Sequence, residues 1–180
     1  MKRKVALFVA VVLCVSLAGC IALEDTPSKE ISGKENDGQS GGKTSTTKEE
    51  LVFGLNETAV FSDLKFTANE LKEDNGTEFF TPEEGNTFVG VRFTIENTSD
   101  EEQTVSSLLM FEGYVDDVKC DYSFNAACAF DEGTLDGAIA AGKKLVGWYA
   151  LEVPEDWTSI ELHVQDDWLS NSTAKFVFEK

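Results

Sequence analysis

Histidine occurs once in the 180 residues, methionine twice, and basic side chains number 15 against 33 acidic ones. Each shortage removes a class of function. A copper site in a β-sandwich draws on two histidines, a cysteine and a methionine, which the lone His163 excludes. A serine or cysteine nucleophile works with a histidine base and an orienting acid. In the alternating stretch SIELHV, His163 falls on the outer face beside Glu161 and Gln165, with no catalytic motif around it. Cys-x-x-Cys redox pairs and Asp-x-Asp-x-Asp-Gly calcium loops do not occur. With a formal charge of −18 the chain is not drawn to phosphate backbones or anionic lipid by bulk electrostatics, so nucleic acid is not an expected partner. Heptads, fixed-period repeats and long amphipathic helical stretches are missing too, and no pattern calls for a cofactor.

What is present begins at the amino terminus. Lys2, Arg3 and Lys4 precede an uncharged apolar run from Val5, the asymmetry that orients a segment at a translocating membrane. Read as a helix continuing to Leu23, the run is a marginal membrane span at about 1.5 Å per residue across roughly 30 Å of hydrocarbon. Read as a signal, its apolar core stops near Leu17 and small residues follow. Leu17, Ala18, Gly19 and Cys20 resemble the lipobox of bacterial lipoproteins. That resemblance implies cleavage before Cys20, diacylglycerol on its thiol and anchoring at the extracytoplasmic face of the cell membrane. Two or three acyl chains suffice without a spanning helix, at about 0.8 kcal/mol per buried CH₂. Loss of residues 1–19 removes three positive charges and takes the formal charge from −18 to −21.

Residues 20–48 then read as a lipidated terminus and flexible linker, rich in Gly, Ser, Thr, Lys and Glu, with a root-mean-square span of roughly 25–30 Å. Residues 49–180 have the size of one domain. Their apolar residues alternate as in half-buried strands: Leu64, Phe66 and Ala68; Val89, Val91, Phe93 and Ile95; Leu109, Phe111 and Val115; Tyr149, Leu151 and Val153; Ile160, Leu162 and Val164; Phe176 and Phe178. Six or seven such strands, separated by turn clusters such as KEDNGTE and VPEDW, predict an all-β antiparallel sandwich or barrel.

The strand ending in ENTSDEEQTV, the glycine before a strand in AAGKKLVGWYALEVPED, and the closing SIELHV together resemble the telokin-like, immunoglobulin-like domain of Gram-positive lipoproteins, a family of unknown function. Val91 to Asn97, Gly142, and Gly147 through Val153 and Pro154 carry the likeness, over approximately residues 55–180. It implies an immunoglobulin-like β-sandwich outside the cytoplasmic membrane and carries over no residue roles. The stretch Tyr114–Leu135 departs most from the pattern.

With Cys14 removed and Cys20 lipidated, Cys120 and Cys128 form the remaining pair, and an oxidising setting predicts a disulfide closing about nine residues, worth about 2.6 kcal/mol. Buried free thiols are the alternative. Asp116, Asp117, Asp121, Asp131, Glu132 and Asp136 crowd one region, making them candidate calcium ligands. Carboxylate pairs, including Asp166 with Asp167, suit a glycan or cell-wall hydrolase only if two face each other across a cleft. Trp148, Trp157 and Trp168 are candidate interaction residues; alternation turns Trp148 away from Tyr149, toward solvent or a partner. The expected function is a non-enzymatic binding or interaction module, held at the membrane by its lipid and meeting a protein or cell-wall partner. A carboxylate-dependent hydrolase and an accessory lipoprotein of an envelope complex are the alternatives.

Overall fold

The computed structural model describes residues 28–30, 51–130, 133–166 and 172–180. Cys20 with the rest of the lipobox, Asp131, Glu132 and Trp168 lie outside them. Among the described residues two five-stranded sheets face each other. Sheet A runs β1 (Ser28–Glu30), β3 (Thr58–Val60), β4 (Leu64–Asp74), β5 (Asn86–Asn97), β10 (Lys144–Pro154), all antiparallel. Sheet B runs β2 (Val52–Phe53), β12 (Ala174–Glu179), β11 (Ser159–Val164), β7 (Phe111–Val115), β8 (Val118–Cys120), with only the β12–β2 pair parallel. β6 (Gln103–Val105) and β9 (Gly137–Ile139) form a small ribbon, and α1 (Ser107–Met110) and α2 (Phe124–Ala127) are single helical turns. The chain is an all-β sandwich, as alternation predicts.

Alternation works because a strand buries every second side chain against the opposite sheet. Phe66 and Phe93 on sheet A are 0% exposed, as are Leu162 and Phe176 on sheet B. Phe93 lies edge-on to Phe111 at 5.4 Å and to Phe176 at 5.2 Å, so one ring of β5 joins both sheets. The Glu-Asn turn after β5 has a specific cause. Fully buried Asn97 donates to the Glu101 and Ile139 carbonyls at 2.7 and 2.8 Å and accepts from the Ser99 amide at 2.9 Å, which ties the turn to β9.

Four expectations change. Leu109 does not share a face with Phe111: Ser107–Met110 is helical, so Met110 enters the core at 4% exposure and Leu109 stands out at 60%. Trp148 does point away from Tyr149, but that face of sheet A is covered. After β8 the chain crosses to β10, where Tyr122 bridges Leu151 and Thr134 bridges Trp148. α2 and Phe130 make a second core with Phe88, Trp148 and Ala150. Trp148 is stacked on Phe130 at 4.9 Å and 6% exposed. Gly90 is required beneath that stack, since a Cβ there would lie 2.8 Å from Phe130 Cζ and 2.9 Å from Trp148 Cε3. Trp157, expected in a turn, is 1% exposed and part of the main core. Trp148 and Trp157 are therefore packing residues, not interaction sites. Finally, Ser28–Glu30, inside the span read as linker, is strand β1.

Candidate functional site

The edge where sheet B ends and the chain crosses to sheet A carries a cleft of about 190 Å³. α1 forms one wall and the β7–β8 hairpin the other. The aromatic floor is continuous: Phe111 stacks on Tyr149 with centroids 5.0 Å apart, and Tyr122 lies 5.4 Å from Tyr149. Gly113 keeps the floor open, because a Cβ there would meet Cys120 O at 2.9 Å and a Leu151 methyl at 3.2 Å. Leu108, 71% exposed, stands on the rim.

Three polar groups line the floor. The Tyr122 hydroxyl is buried and has no hydrogen-bond partner. Burial raises its pKa, the Asp136 charge adds to the rise, and the Ser107 hydroxyl beside it works the other way without meeting hydrogen-bond geometry. Tyr149 is driven well above the usual phenol range, by burial first and then by Cys120 and Asp121. The Cys120 thiol donates to Glu152 O at 3.5 Å, and burial, with Asp121 and Glu152, raises its pKa. A raised pKa keeps that sulfur protonated, which suits a weak donor better than a nucleophile.

The rim is charged. Lys119 pairs with Glu112 at 3.3 Å, which raises the lysine's pKa, and Asp121 flanks them. The Glu112 carboxylate also accepts from Tyr114 at 3.4 Å, and Tyr114 lies 5.0 Å from His163. His163 bonds Glu161 at 2.5 Å, and Glu161 pairs with Lys175 at 3.0 Å. Burial pushes the Glu161 pKa up, but the bonds from His163 and Lys175 outweigh it and hold it below the usual carboxylate range. A polar band thus runs from the cleft across the outer face of sheet B, where alternation placed His163.

The predicted chemistry mostly disperses. Cys120 and Cys128 are free thiols, so the expected disulfide is not formed. The chain takes them apart: the Ser123 amide bonds Ala150 O at 2.9 Å, Ser123 caps α2, and α2 carries Cys128 to its exposed end while Cys120 turns inward. The calcium candidates separate as well. Asp116 and Asp117 occupy the β7–β8 turn with φ of 47° and 67°. Asp121 lies beyond the far end of β8, roughly 13 Å along the strand at about 3.3 Å per residue. Asp116 accepts from the Thr158 and Ser159 amides at 3.1 and 2.9 Å and from the Thr158 hydroxyl, which lower its pKa and lock the turn to β11. Asp136 accepts from the Ser107 amide and hydroxyl, each at 2.9 Å at closest, fixing the start of α1. Among the described residues no three His, Cys, Asp or Glu side chains converge on one metal position, and no helix is long and apolar enough to cross a membrane. Sequence reasoning missed Ser107, Tyr122 and Tyr149; the one signal was that Tyr114–Leu135 departs from the family pattern.

A β-sandwich with one edge closed by a crossing segment and an aromatic-floored cleft beneath it is the class this geometry defines. The chain belongs to the family described as a domain of unknown function (DUF4352), matched over residues 53–175. Its fold is similar to that of ycdA from Bacillus subtilis, described as a candidate lipoprotein, with a TM-score of 0.54 and 15% identity over 65% of this chain and 36% of that one. The match thus spans about a third of ycdA. An uncharacterized β-sandwich protein from Clostridium difficile gives 0.52 at 16% identity over 77% of this chain and 99% of its own. A conserved hypothetical protein from Bacillus anthracis gives 0.52 at 13% identity over 68% and 94%. These likenesses are of fold. No curated protein matches the sequence.

Proposed function

We propose that this chain is a lipoprotein anchored through Cys20 at the extracytoplasmic face of the membrane, and that its telokin-like, immunoglobulin-like sandwich binds a partner in the α1/β7–β8 cleft without converting it chemically. The observation that carries this reading is the Tyr122 hydroxyl, buried over an aromatic floor with no partner. Leaving such a group unbonded costs roughly 1–3 kcal/mol, and because the hydroxyl has no exposed surface a ligand acceptor supplies the missing bond only as the Tyr122 side chain turns toward the cleft. A cleft of about 190 Å³ falls below the roughly 300–1,000 Å³ of sites for drug-sized molecules. It suits one ring or one side chain of a larger cell-wall or protein partner. The address is supported by LAGC in its signal context and by the fold likeness to a candidate lipoprotein.

The test is titration of the mature protein with soluble wall fragments and membrane extract, followed through the Tyr122 and Tyr149 ring signals by NMR. Tyr122→Phe keeps the floor and removes the donor, so affinity is expected to fall about tenfold, the size of one hydrogen bond of about 1.4 kcal/mol. Equal binding by the parent and Tyr122→Phe, or ring signals unmoved by a bound fragment, would refute the cleft as the site.

A carboxylate-dependent hydrolase is the second reading, favoured by one observation: Glu112 and Asp121 both line the cleft. It is the weaker, because Glu112 is 52% exposed and tied to Lys119, whereas a proton-donating carboxyl is set in apolar surroundings. Release of reducing ends from wall glycan by the parent, abolished in Glu112→Gln, would favour it over binding alone.

A further inference from the structure

β1 comes eight residues after Cys20 and occupies the outer edge of sheet A, with Ser28, Lys29 and Glu30 opposite Val60, Ala59 and Thr58. The edge is built to receive it. From its place opposite Ala59, Lys29 reaches across the open side of the sandwich to sheet B. Its Nζ lies 2.6 Å from Glu57 Oε2, donates to the Val52 carbonyl at 3.2 Å and sits 5.5 Å from the centroid of the Phe53 ring. Glu57 is held ready for that cation: the same oxygen accepts the Gly54 amide at 2.8 Å, and the Lys29 bond, ahead of burial and the Gly54 bond, sets the carboxyl's pKa below its ordinary value. Lys29 also covers Phe53, a core residue 1% exposed. Carboxylate, carbonyl and ring face together make a notch for one ammonium group, beside a strand edge whose backbone groups pair with any extended segment.

What the edge holds is slight. β1 is three residues long, its Ser28 is exposed, and Lys29 fastens it through Glu57. A short edge strand with one partly exposed ion pair belongs to the low-stability end of a fold and opens without global unfolding.

We propose that the β3 edge with its lysine notch is a docking site for this chain's own Ser28–Glu30, and that docking sets how close the domain is held to the bilayer. The proposal rests on Cys20 being the lipid anchor. With β1 docked, the connection from Cys20 to Ser28 reaches at most about 26–29 Å at 3.3–3.6 Å per residue. With β1 released, the next described residue packed against the core is Leu51, 31 residues beyond Cys20, and that limit becomes roughly 100–110 Å. Docking therefore cuts the greatest stand-off about fourfold and keeps the β1 edge on the side of the anchor. Release frees the domain to reach outward and bares the β3 edge.

The test uses the mature lipidated protein in phosphatidylcholine vesicles. A donor dye is placed at Asp63→Cys, in a Cys120→Ser, Cys128→Ser background, and an acceptor on the headgroups. Backbone amide exchange is followed at residues 28–30 and 58–60. Lys29→Glu is expected to lengthen the mean donor–headgroup distance and to speed exchange at Thr58 and Val60, whose amides face β1, at least tenfold, with the melting temperature of the sandwich nearly unchanged. Lys29→Glu with Glu57→Lys restores the pair with reversed charge and is expected to recover most of both. Unprotected Thr58 and Val60 amides in the parent, or a Lys29→Glu protein with unchanged distance and exchange, would overturn the docking. Protection that disappears on dilution would overturn it in favour of strand exchange between two copies. If the parent fails to float with the vesicles, the anchor reading falls and the stand-off claim with it, while the exchange data still decide whether β1 docks.

Discussion

Replacing Phe93 with alanine removes the ring through which β5 meets β7 and β12. The side chain is 0% exposed and makes edge contacts at 5.4 Å to Phe111 and 5.2 Å to Phe176. Withdrawing a buried Phe from the core forfeits roughly 1.5–3 kcal/mol of transfer free energy. Two aromatic edge contacts add roughly 0.5–1.5 kcal/mol each. The neighbours opposite on β4 and β10 are Ala68 and Gly147, too small to fill the space. The total agrees with the roughly 3–5 kcal/mol observed for Phe→Ala in cores, a large part of the 5–15 kcal/mol that holds a typical domain folded. In urea, with a slope of roughly 1–3 kcal/mol per molar, the midpoint should fall by about 2 M. The buried Trp148 and Trp157 report the transition by fluorescence. Phe79→Ala, at a position 84% exposed, serves as the control and should shift stability by less than about 0.5 kcal/mol. A Phe93→Ala loss below about 1 kcal/mol would mean that the sheets do not close on this ring.

Two further outcomes test the site's surroundings. In the native protein a maleimide should modify Cys128 rapidly and Cys120 slowly, since the first is exposed and the second inward-facing with a raised pKa; a protein with neither thiol free before reductant is added would restore the disulfide. Asp116 has a folded pKa below its unfolded value, so its bonds to Thr158 and Ser159 stabilise the fold above the unfolded pKa, near 3.9, and that contribution is lost as pH falls through the folded value. Asp116→Asn should therefore lower the melting temperature at pH 7, with the gap to the parent narrowing toward pH 2; a gap independent of pH would show that charge plays no part in holding the turn.

The strands were legible where one rule acted alone. β4, β11 and β12 each have one face to the core, and a period of two picks out Leu64 and Phe66, Ile160 and Leu162, Phe176 and Phe178. Leu109 was misplaced because a four-residue turn at Ser107–Met110 resets the period just before β7. It offers no run long enough to show a helical repeat, and its fixed end depends on Asp136, 29 residues away, bonding Ser107. The disulfide failed for a related reason. Spacing and compartment make a bridge between Cys120 and Cys128 reasonable, but the direction of each sulfur is decided by the pairing of the residues between them with β10.

That pairing links the misreading of Trp148 to the invisibility of the site. Alternation on β10 is right about direction: Trp148 and Tyr149 do point to opposite faces of sheet A. It cannot say that Tyr122 and Thr134 bridge to β10 and that Phe130 and α2 cover the Trp148 face. The same pairing lays Tyr122 against Tyr149 at the sandwich edge. One excursion of the chain therefore buries the tryptophan that looked available for a partner and lays down, a few residues earlier, part of the lining of the α1/β7–β8 cleft. The local alphabet of this excursion is ordinary: small Ala126 and Ala127 that fit under a turn, a Phe, a Tyr, acids at its ends. Its meaning comes from which sheet it crosses to, and that is settled by contacts far apart in the chain. In this chain the stretch between the two regular strands is thus the part whose placement no local rule predicts.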